Sequence, residues 1–277
     1  VSAYKIGCRY FIDLRDIFSE SISDLFSRKN KMLGSVSKKI FSFLEDKLLS
    51  GAIGVNVVSE GFPEYFQEEG IDTSNWSFYP NGVDQEFTKI NNKKDIVLKQ
   101  FKTILYAGNI GSGQGLEVIL PDVAKKLGKN YQFLVVGDGG MKASLEGGIK
   151  RKNIDNVEIL SPVKREKLID FYQNADILFL HLNNIPAFRR VLPSKIFEYT
   201  ASGKYIVAGL SGYSAKFLKN NCPYATVFDP GNVNQCVQLI KKAESLKIDK
   251  EKIDFFIKEY NREKIMQKMA AHILSLV

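Results

Sequence analysis

The sequence predicts an α/β protein built on a doubly wound parallel sheet. Three observations lead there. From residue 102 onward, short apolar runs alternate with longer segments of helical period. The runs are continuously apolar, as parallel strands covered on both faces must be. Glycine-rich turns follow the first two runs directly, where such sheets place their ligand crevice.

The runs predict strands at 103–107, 132–136, 157–160, 177–181, 205–208 and 226–228. The segments between them predict helices at about 114–128, 141–152, 165–174, 194–202 and 213–220, and further helices follow at 232–246, 250–259 and 261–276. The first hundred residues are less regular. Strands are expected at 10–14, 54–58 and 77–79, with a long helical stretch between the first two. This region reads as the second half of another α/β domain. The chain opens with Val1, so its natural start is expected upstream. The polar segment 91–100, with Asn-Asn-Lys-Lys-Asp, reads as a linker.

Composition narrows the class of protein. An apolar share of 44% and a charged share of 25% exclude long disorder and collagen-like repeats. Thirty-nine basic against 31 acidic residues give a net charge of +8, which favours phosphates or an acidic membrane surface as partners. Nucleic acid is not expected among them. Cys8, Cys222 and Cys236 form no CxxC pair, so neither a disulfide framework nor a zinc site is expected, and a reducing cytoplasm fits. The longest apolar stretch, at 177–182, is too short to span a bilayer. Residues 22–49 mix Leu25, Phe26, Met32, Leu33, Val36, Ile40 and Leu44 with Arg28, Lys29, Lys31, Lys38, Lys39 and Lys47. Such a segment either lies on an acidic membrane or turns its apolar side to the core.

The candidate site residues follow the strand ends. Gly108-Asn109-Ile110-Gly111-Ser112-Gly113-Gln114-Gly115 opens a helix after the first run. Glycines there let the backbone approach a phosphate or sugar, although the spacing is not that of a dinucleotide fingerprint. Gly137 lies in the loop after the second run, and Val163 in the loop after the third, where main-chain groups can meet a nucleobase edge. Pro193 and Ser194 are helix-start residues, with Lys195 just inside and Arg189 and Arg190 upstream. That arrangement suits an anion. Glu198, one turn on, suits a ribose hydroxyl pair. His181 ends a strand and is a weaker candidate, while His272 is expected to be structural. The sequence has no P-loop, no GxSxG, no HExxH and no DxD, so no metal or other cofactor is expected.

Four segments stand in a familiar order: Pro80-Asn81-Gly82-Val83-Asp84, Tyr106-Ala107-Gly108-Asn109-Ile110-Gly111, Val136-Gly137-Asp138-Gly139, and the stretch from Pro193-Ser194-Lys195-Ile196-Phe197-Glu198 to Lys204. In these the chain resembles retaining glycosyltransferases of family 4, above all bacterial O-antigen and capsule enzymes of the acetamidofucosamine transferase type. The resemblance runs from about Asp13 to the C-terminus. It implies a GT-B architecture, with a complete Rossmann-like donor domain of about six strands and an incomplete N-terminal one. Residues 1–88 would belong to the acceptor side, 98–258 would bind the nucleotide sugar, and 259–277 would cross back. It further implies a nucleotide-diphosphate sugar donor, a UDP sugar above all, and a saccharide acceptor that can be lipid-linked. Work at the inner face of the cytoplasmic membrane follows from that.

Two departures from the family pattern stand out. The Arg and Lys that usually meet the diphosphate fall on Asn109 and Gln114. The first Glu of the family's Glu-x7-Glu falls on Arg190, and Glu198 matches the second. Lys195 and Arg190 are therefore the expected catalytic cations, with Asp16 as an acceptor-side candidate. Glu198 is expected on the ribose and Val163 on the base. A GT-B epimerase and a non-catalytic donor-binding subunit are the alternatives.

Overall fold

The computed structural model describes residues 8–20, 26, 31–88, 100–243 and 248–277. Among these, two parallel sheets form. The first has the order β1 (Phe11–Leu14), β2 (Gly54–Val57), β3 (Ser77–Phe78). Helix α1 (Lys31–Ser50) joins β1 to β2, and α2 (Phe62–Glu68) joins β2 to β3. Helix α2 was not expected from the sequence. It is seven residues long and carries Pro63 in its first turn, yet it buries Phe62, Tyr65 and Phe66 against Val55 and Val57. That packing, rather than any helical period, fixes it. A short helix, α3 (Gln85–Thr88), follows the first sheet.

The second sheet contains β4 (Lys102–Ala107), β5 (Tyr131–Val136), β6 (Val157–Leu160), β7 (Ile177–His181), β8 (Tyr205–Gly209) and β9 (Ala225–Phe228). Their spatial order is β6-β5-β4-β7-β8-β9, so the direction of winding reverses between β4 and β7. Interleaved are α4 (Leu116–Leu127), α5 (Lys142–Arg151), α6 (Arg165–Asn174), α7 (Pro186–Arg190), α8 (Lys195–Ala201), α9 (Gly212–Asn221) and α10 (Val233–Ala243). Helices α11 (Lys250–Glu259) and α12 (Arg262–Ser275) end the chain.

Both faces of this sheet are buried, which explains the continuous apolar runs. Ile104 and Tyr106 of β4 face α4 and α10, against Ile119, Leu120, Val123 and Ile240. Leu105 and Ala107 face the other side, against Tyr172, Ile196, Phe197 and Phe217. The expected strands and helices of this region all form, with ends shifted by a residue or two. Part of the expected linker at 91–99 and the helix end at 244–246 lie outside the described residues.

Helix α12 returns to the first sheet. His272 packs edge-on against Phe11 and near Tyr79, with ring centroids at 6.2 and 5.9 Å. Where the chain leaves the first sheet, Val83 donates its N–H to Tyr260 O at 2.7 Å and accepts from Arg262 N at 3.0 Å. Asp84 binds both Arg262 and Arg165 there.

Candidate functional site

A cavity of about 290 Å³ lies beyond the carboxyl ends of β4, β5 and β6. Its walls are Ala107, Gly108 and Asn109, then Val136, Gly137 and Asp138, then Pro162, Val163 and Leu168, closed by Lys195. Apart from Leu168 on α6, each group of three is the end of a strand or the loop after it, which is where a parallel sheet exposes main-chain groups to a ligand. A larger cavity, about 510 Å³, lies between α9 and α11. It is away from the strand ends and is not the candidate.

The floor depends on close backbone approach. Gly108 N bonds Val136 O at 2.9 Å and Gly137 N bonds Leu160 O at 3.0 Å, extending the ladder past the strand ends. A Cβ on Gly137 would lie 1.9 Å from Gly108 O, so only glycine fits. At the start of α4, Gly115 takes φ +60°, and a Cβ there would lie 2.1 Å from Asn183 Oδ1.

The loop after β4 is held by its own amides. Gln114 Oε1 accepts from Gly111 N at 3.1 Å and from Asn109 Nδ2 at 3.3 Å. The two neutral residues at the positions matched to the family's cations thus bond each other. Asn109 lines the cavity; Gly111 and Gln114 shape the loop and are not among the lining residues.

His181 braces the same loop from β7. Its Nδ1 lies 2.6 Å from Gln114 O, and its Nε2 accepts from Gly231 N at 3.0 Å. Nε2 therefore carries no proton, and Nδ1 donates. The ring stacks near Phe179 and Phe228. Burial pushes its pKa below the ordinary histidine value, partly offset by the bond to Gln114 O. It is a structural clamp, outside the cavity.

Lys195 is the cation in the cavity wall. Its Nζ donates to Glu198 Oε2 at 2.8 Å and lies 3.3 Å from the Tyr172 hydroxyl. Tyr172 donates to the same Glu198 oxygen at 2.9 Å. The two residues expected on phosphate and ribose are thus bonded to each other, and Glu198 does not itself line the cavity. Helix α8 starts at Lys195, with Pro193 and Ser194 immediately before it, but the Ser194 side chain makes no capping bond.

Arg190 departs from the expectation of a catalytic cation beside Lys195. It is not among the cavity's lining residues. Its guanidinium pairs with Glu20 at 2.8 Å and approaches Glu68 at 3.8 Å, and it lies over the Tyr65 ring at 5.0 Å. Its carbonyl accepts from the Ser59 hydroxyl. Residue 190 therefore ties α7 to the first sheet. Arg189 bonds Asn184 at 2.8 Å instead. Asp16 is exposed at the end of β1, and its Oδ1 accepts from Ile17 N at 2.9 Å. It is not among the cavity's lining residues.

Of the donor-site residues expected from the sequence, Gly108, Asn109, Gly137, Val163 and Lys195 line the cavity, and Gly111, Gln114, Pro193, Ser194 and Glu198 do not. The sequence gives no signal for Leu168, which lines the cavity, or for Tyr172, which bonds Glu198 behind it; both sit on α6. Among the described residues, no group of three or more His, Cys, Asp or Glu side chains could hold a metal ion. Among them, no helix is long and apolar enough to cross a membrane.

The two parallel sheets, with a cavity beyond the strand ends of the second, have the GT-B fold. The sequence model for glycosyl transferases group 1 matches residues 88–263, and the chain belongs to that family. The chain is 25% identical over 248 residues to a protein named as the colanic acid biosynthesis glycosyl transferase WcaI of Escherichia coli (strain K12), covering 86% of this chain and 60% of that one. It is 26% identical over 136 residues to the 2-deoxystreptamine N-acetyl-D-glucosaminyltransferase of Niallia circulans, covering 48% and 33%. It thus spans less than two thirds of either relative. Among solved structures, Anabaena Alr3699/HepE in complex with UDP and glucose superposes with a TM-score of 0.69 at 16% identity, over all of this chain and 74% of that one. The trehalose-phosphate synthase of Burkholderia vietnamiensis gives 0.72 at 13% identity, over 98% and 70%.

Proposed function

We propose that the chain carries the donor side of a retaining transferase that moves a hexosyl or N-acetylhexosaminyl group from a UDP sugar to a surface-polysaccharide acceptor. The observation that carries this reading is the cavity at the ends of β4, β5 and β6 with Lys195 in its wall. UDP is the nucleotide bound in the Anabaena structure of the same fold. Main-chain groups at Pro162 and Val163 suit the base edge. Gly108 and Gly137 let the backbone pass close to the sugar and phosphates.

The hard step is departure of the diphosphate from the anomeric carbon. Negative charge grows on the leaving oxygens, and a cation fixed where that charge develops lowers the barrier. Lys195 takes that role. Glu198, which does not line the cavity, holds Lys195 in place instead of reaching the ribose, and no divalent metal takes part. In this reading residues 1–88 serve the acceptor, 98–258 the donor, and 259–277 join the two.

A lipid-linked acceptor would bring the chain to the inner face of the cytoplasmic membrane. Helix α1 supports this. Its exposed side carries Met32, Leu33, Val36, Ile40, Phe43 and Leu44, and Lys39 and Lys47 are exposed with them. A reading in which the chain binds a donor without turnover is favoured by the neutral Asn109–Gln114 pair.

The test is calorimetry with UDP and uridine. Lys195→Ala should weaken UDP binding by about 1.5–3 kcal/mol, the scale of a hydrogen bond to a charged group, and leave uridine binding unchanged. Equal UDP affinity in parent and variant refutes the assignment. Sugar transfer by the full-length protein separates turnover from binding alone.

A further inference from the structure

We propose that Tyr172 is a positioning residue for the phosphate end of the nucleotide. Its hydroxyl keeps Glu198 satisfied, so that Lys195 can leave the carboxylate for the ligand. The inference rests on the donor reading above.

Tyr172 sits on α6 and is completely buried. Its ring stands edge-on to Tyr199 with centroids 5.5 Å apart and leans on Phe87 at 5.6 Å. Tyr199 is in turn fixed to β4, accepting from Ala107 N at 3.1 Å. The Tyr172 ring is therefore locked, and its hydroxyl has a fixed direction. Burial pushes its pKa far above the ordinary phenol value, so the hydroxyl keeps its proton and remains a donor.

That donor is aimed at Glu198 Oε2, which also accepts from Lys195 Nζ. The Glu198 side chain is only 15% exposed. A carboxylate so placed is costly to leave without donors. With Tyr172 present, one donor stays on Oε2 when Lys195 turns to a phosphate. With phenylalanine there, Lys195 is the remaining donor of this pair, and its departure strips the oxygen of both. An incoming diphosphate must then compete for Lys195. Loss of the contact between Lys195 and the Tyr172 oxygen acts in the opposite sense. It is 3.3 Å long, against 2.9 Å for the hydroxyl's own bond to the carboxylate, so the effect on Glu198 dominates.

The Tyr172→Phe change removes one oxygen and keeps the ring packing. Calorimetry of UDP and uridine on the full chain reads its effect in the parent, in Tyr172→Phe, in Lys195→Met and in the double variant. UDP binding should weaken about threefold to tenfold in Tyr172→Phe, the range of one net hydrogen bond. Uridine binding should not change. In the Lys195→Met background, Tyr172→Phe should have no further effect on UDP. Equal losses for UDP and uridine would mean a merely structural role, and additive losses in the double variant would mean that Tyr172 does not act through Lys195. Either result overturns the inference while leaving the donor reading intact. A parent that binds neither nucleotide overturns both.

Discussion

Substitution of Gly137 by alanine tests whether the cavity floor is as tight as its geometry implies. The added Cβ would lie 1.9 Å from the Gly108 carbonyl oxygen and 3.0 Å from its carbon. Both atoms are backbone, so no side chain can swing aside. The loops after β4 and β5 must part, and the bonds Gly108 N to Val136 O and Gly137 N to Leu160 O must stretch. Forcing a methyl into a well-packed region costs about 1–3 kcal/mol. At roughly 3 °C per kcal/mol for a chain of this size, the melting temperature should fall by about 3–9 °C. Gly108 and Gly137 both line the cavity, so nucleotide affinity should fall with it. Gly140→Ala is the control: a Cβ there meets nothing within 4 Å. Differential scanning fluorimetry of the two variants, followed by nucleotide titration, decides the matter. A Gly137→Ala melting temperature equal to that of Gly140→Ala would refute the reasoning.

His181 should make stability fall with pH. Its folded-state pKa is lowered, so below about pH 6.5 the unfolded chain takes up a proton that the folded chain resists. Stability, read as a urea midpoint, should therefore drop between pH 7.5 and 5.5, and the drop should shrink in His181→Gln; a midpoint that rises on acidification contradicts this. Asn156 is buried, and its Nδ2 donates to Ala124 O, Gly128 O and Tyr131 O at 2.9–3.0 Å. Asn156→Ala should cost about 1–3 kcal/mol in chemical denaturation, the penalty for orphaned buried carbonyls, and a loss under about 0.5 kcal/mol would show that water replaces the amide. Activity of the full-length protein should persist in EDTA; loss of activity that Mg²⁺ or Mn²⁺ restores would reverse the expectation of metal independence. The full-length protein should float with anionic vesicles and not with neutral ones, and the pair Ile40→Glu and Phe43→Glu should abolish flotation. Flotation unchanged by that pair would remove α1 from the membrane reading.

The second sheet was legible because its strands are buried on both faces. Burial of Ile104 to one side and Leu105 to the other makes a run that no amphipathic element would show. Helices α2 and α7 were not legible. At seven and five residues they are too short to express a period, and α7 buries none of its residues fully. The cavity walls were legible for a topological reason: residues just past a parallel strand face the crevice whatever their type. Gly108, Gly137 and Val163 follow β4, β5 and β6 in this way, while Lys195 is marked by the helix start at Pro193 and Ser194.

Arg190 shows where that logic stops. It lies five positions before Lys195, and closeness in sequence was read as closeness in the site. Residues 191–194 form a bend between α7 and α8, and Val191 and Leu192 anchor that bend by packing into the core. The side chain on the far side of the bend is then claimed by whichever charge lies nearest in space. That charge is Glu20, 170 positions away along the chain, with the Tyr65 ring beneath it. No local pattern encodes such a partner. The partner of Lys195, by contrast, is three positions on along the same helix, where spacing alone puts the two side chains on one face. Tyr172 belongs with Arg190 in this respect. Its ring occupies a core position of α6 like any apolar residue, and only the fold brings its hydroxyl to Glu198, 26 positions away.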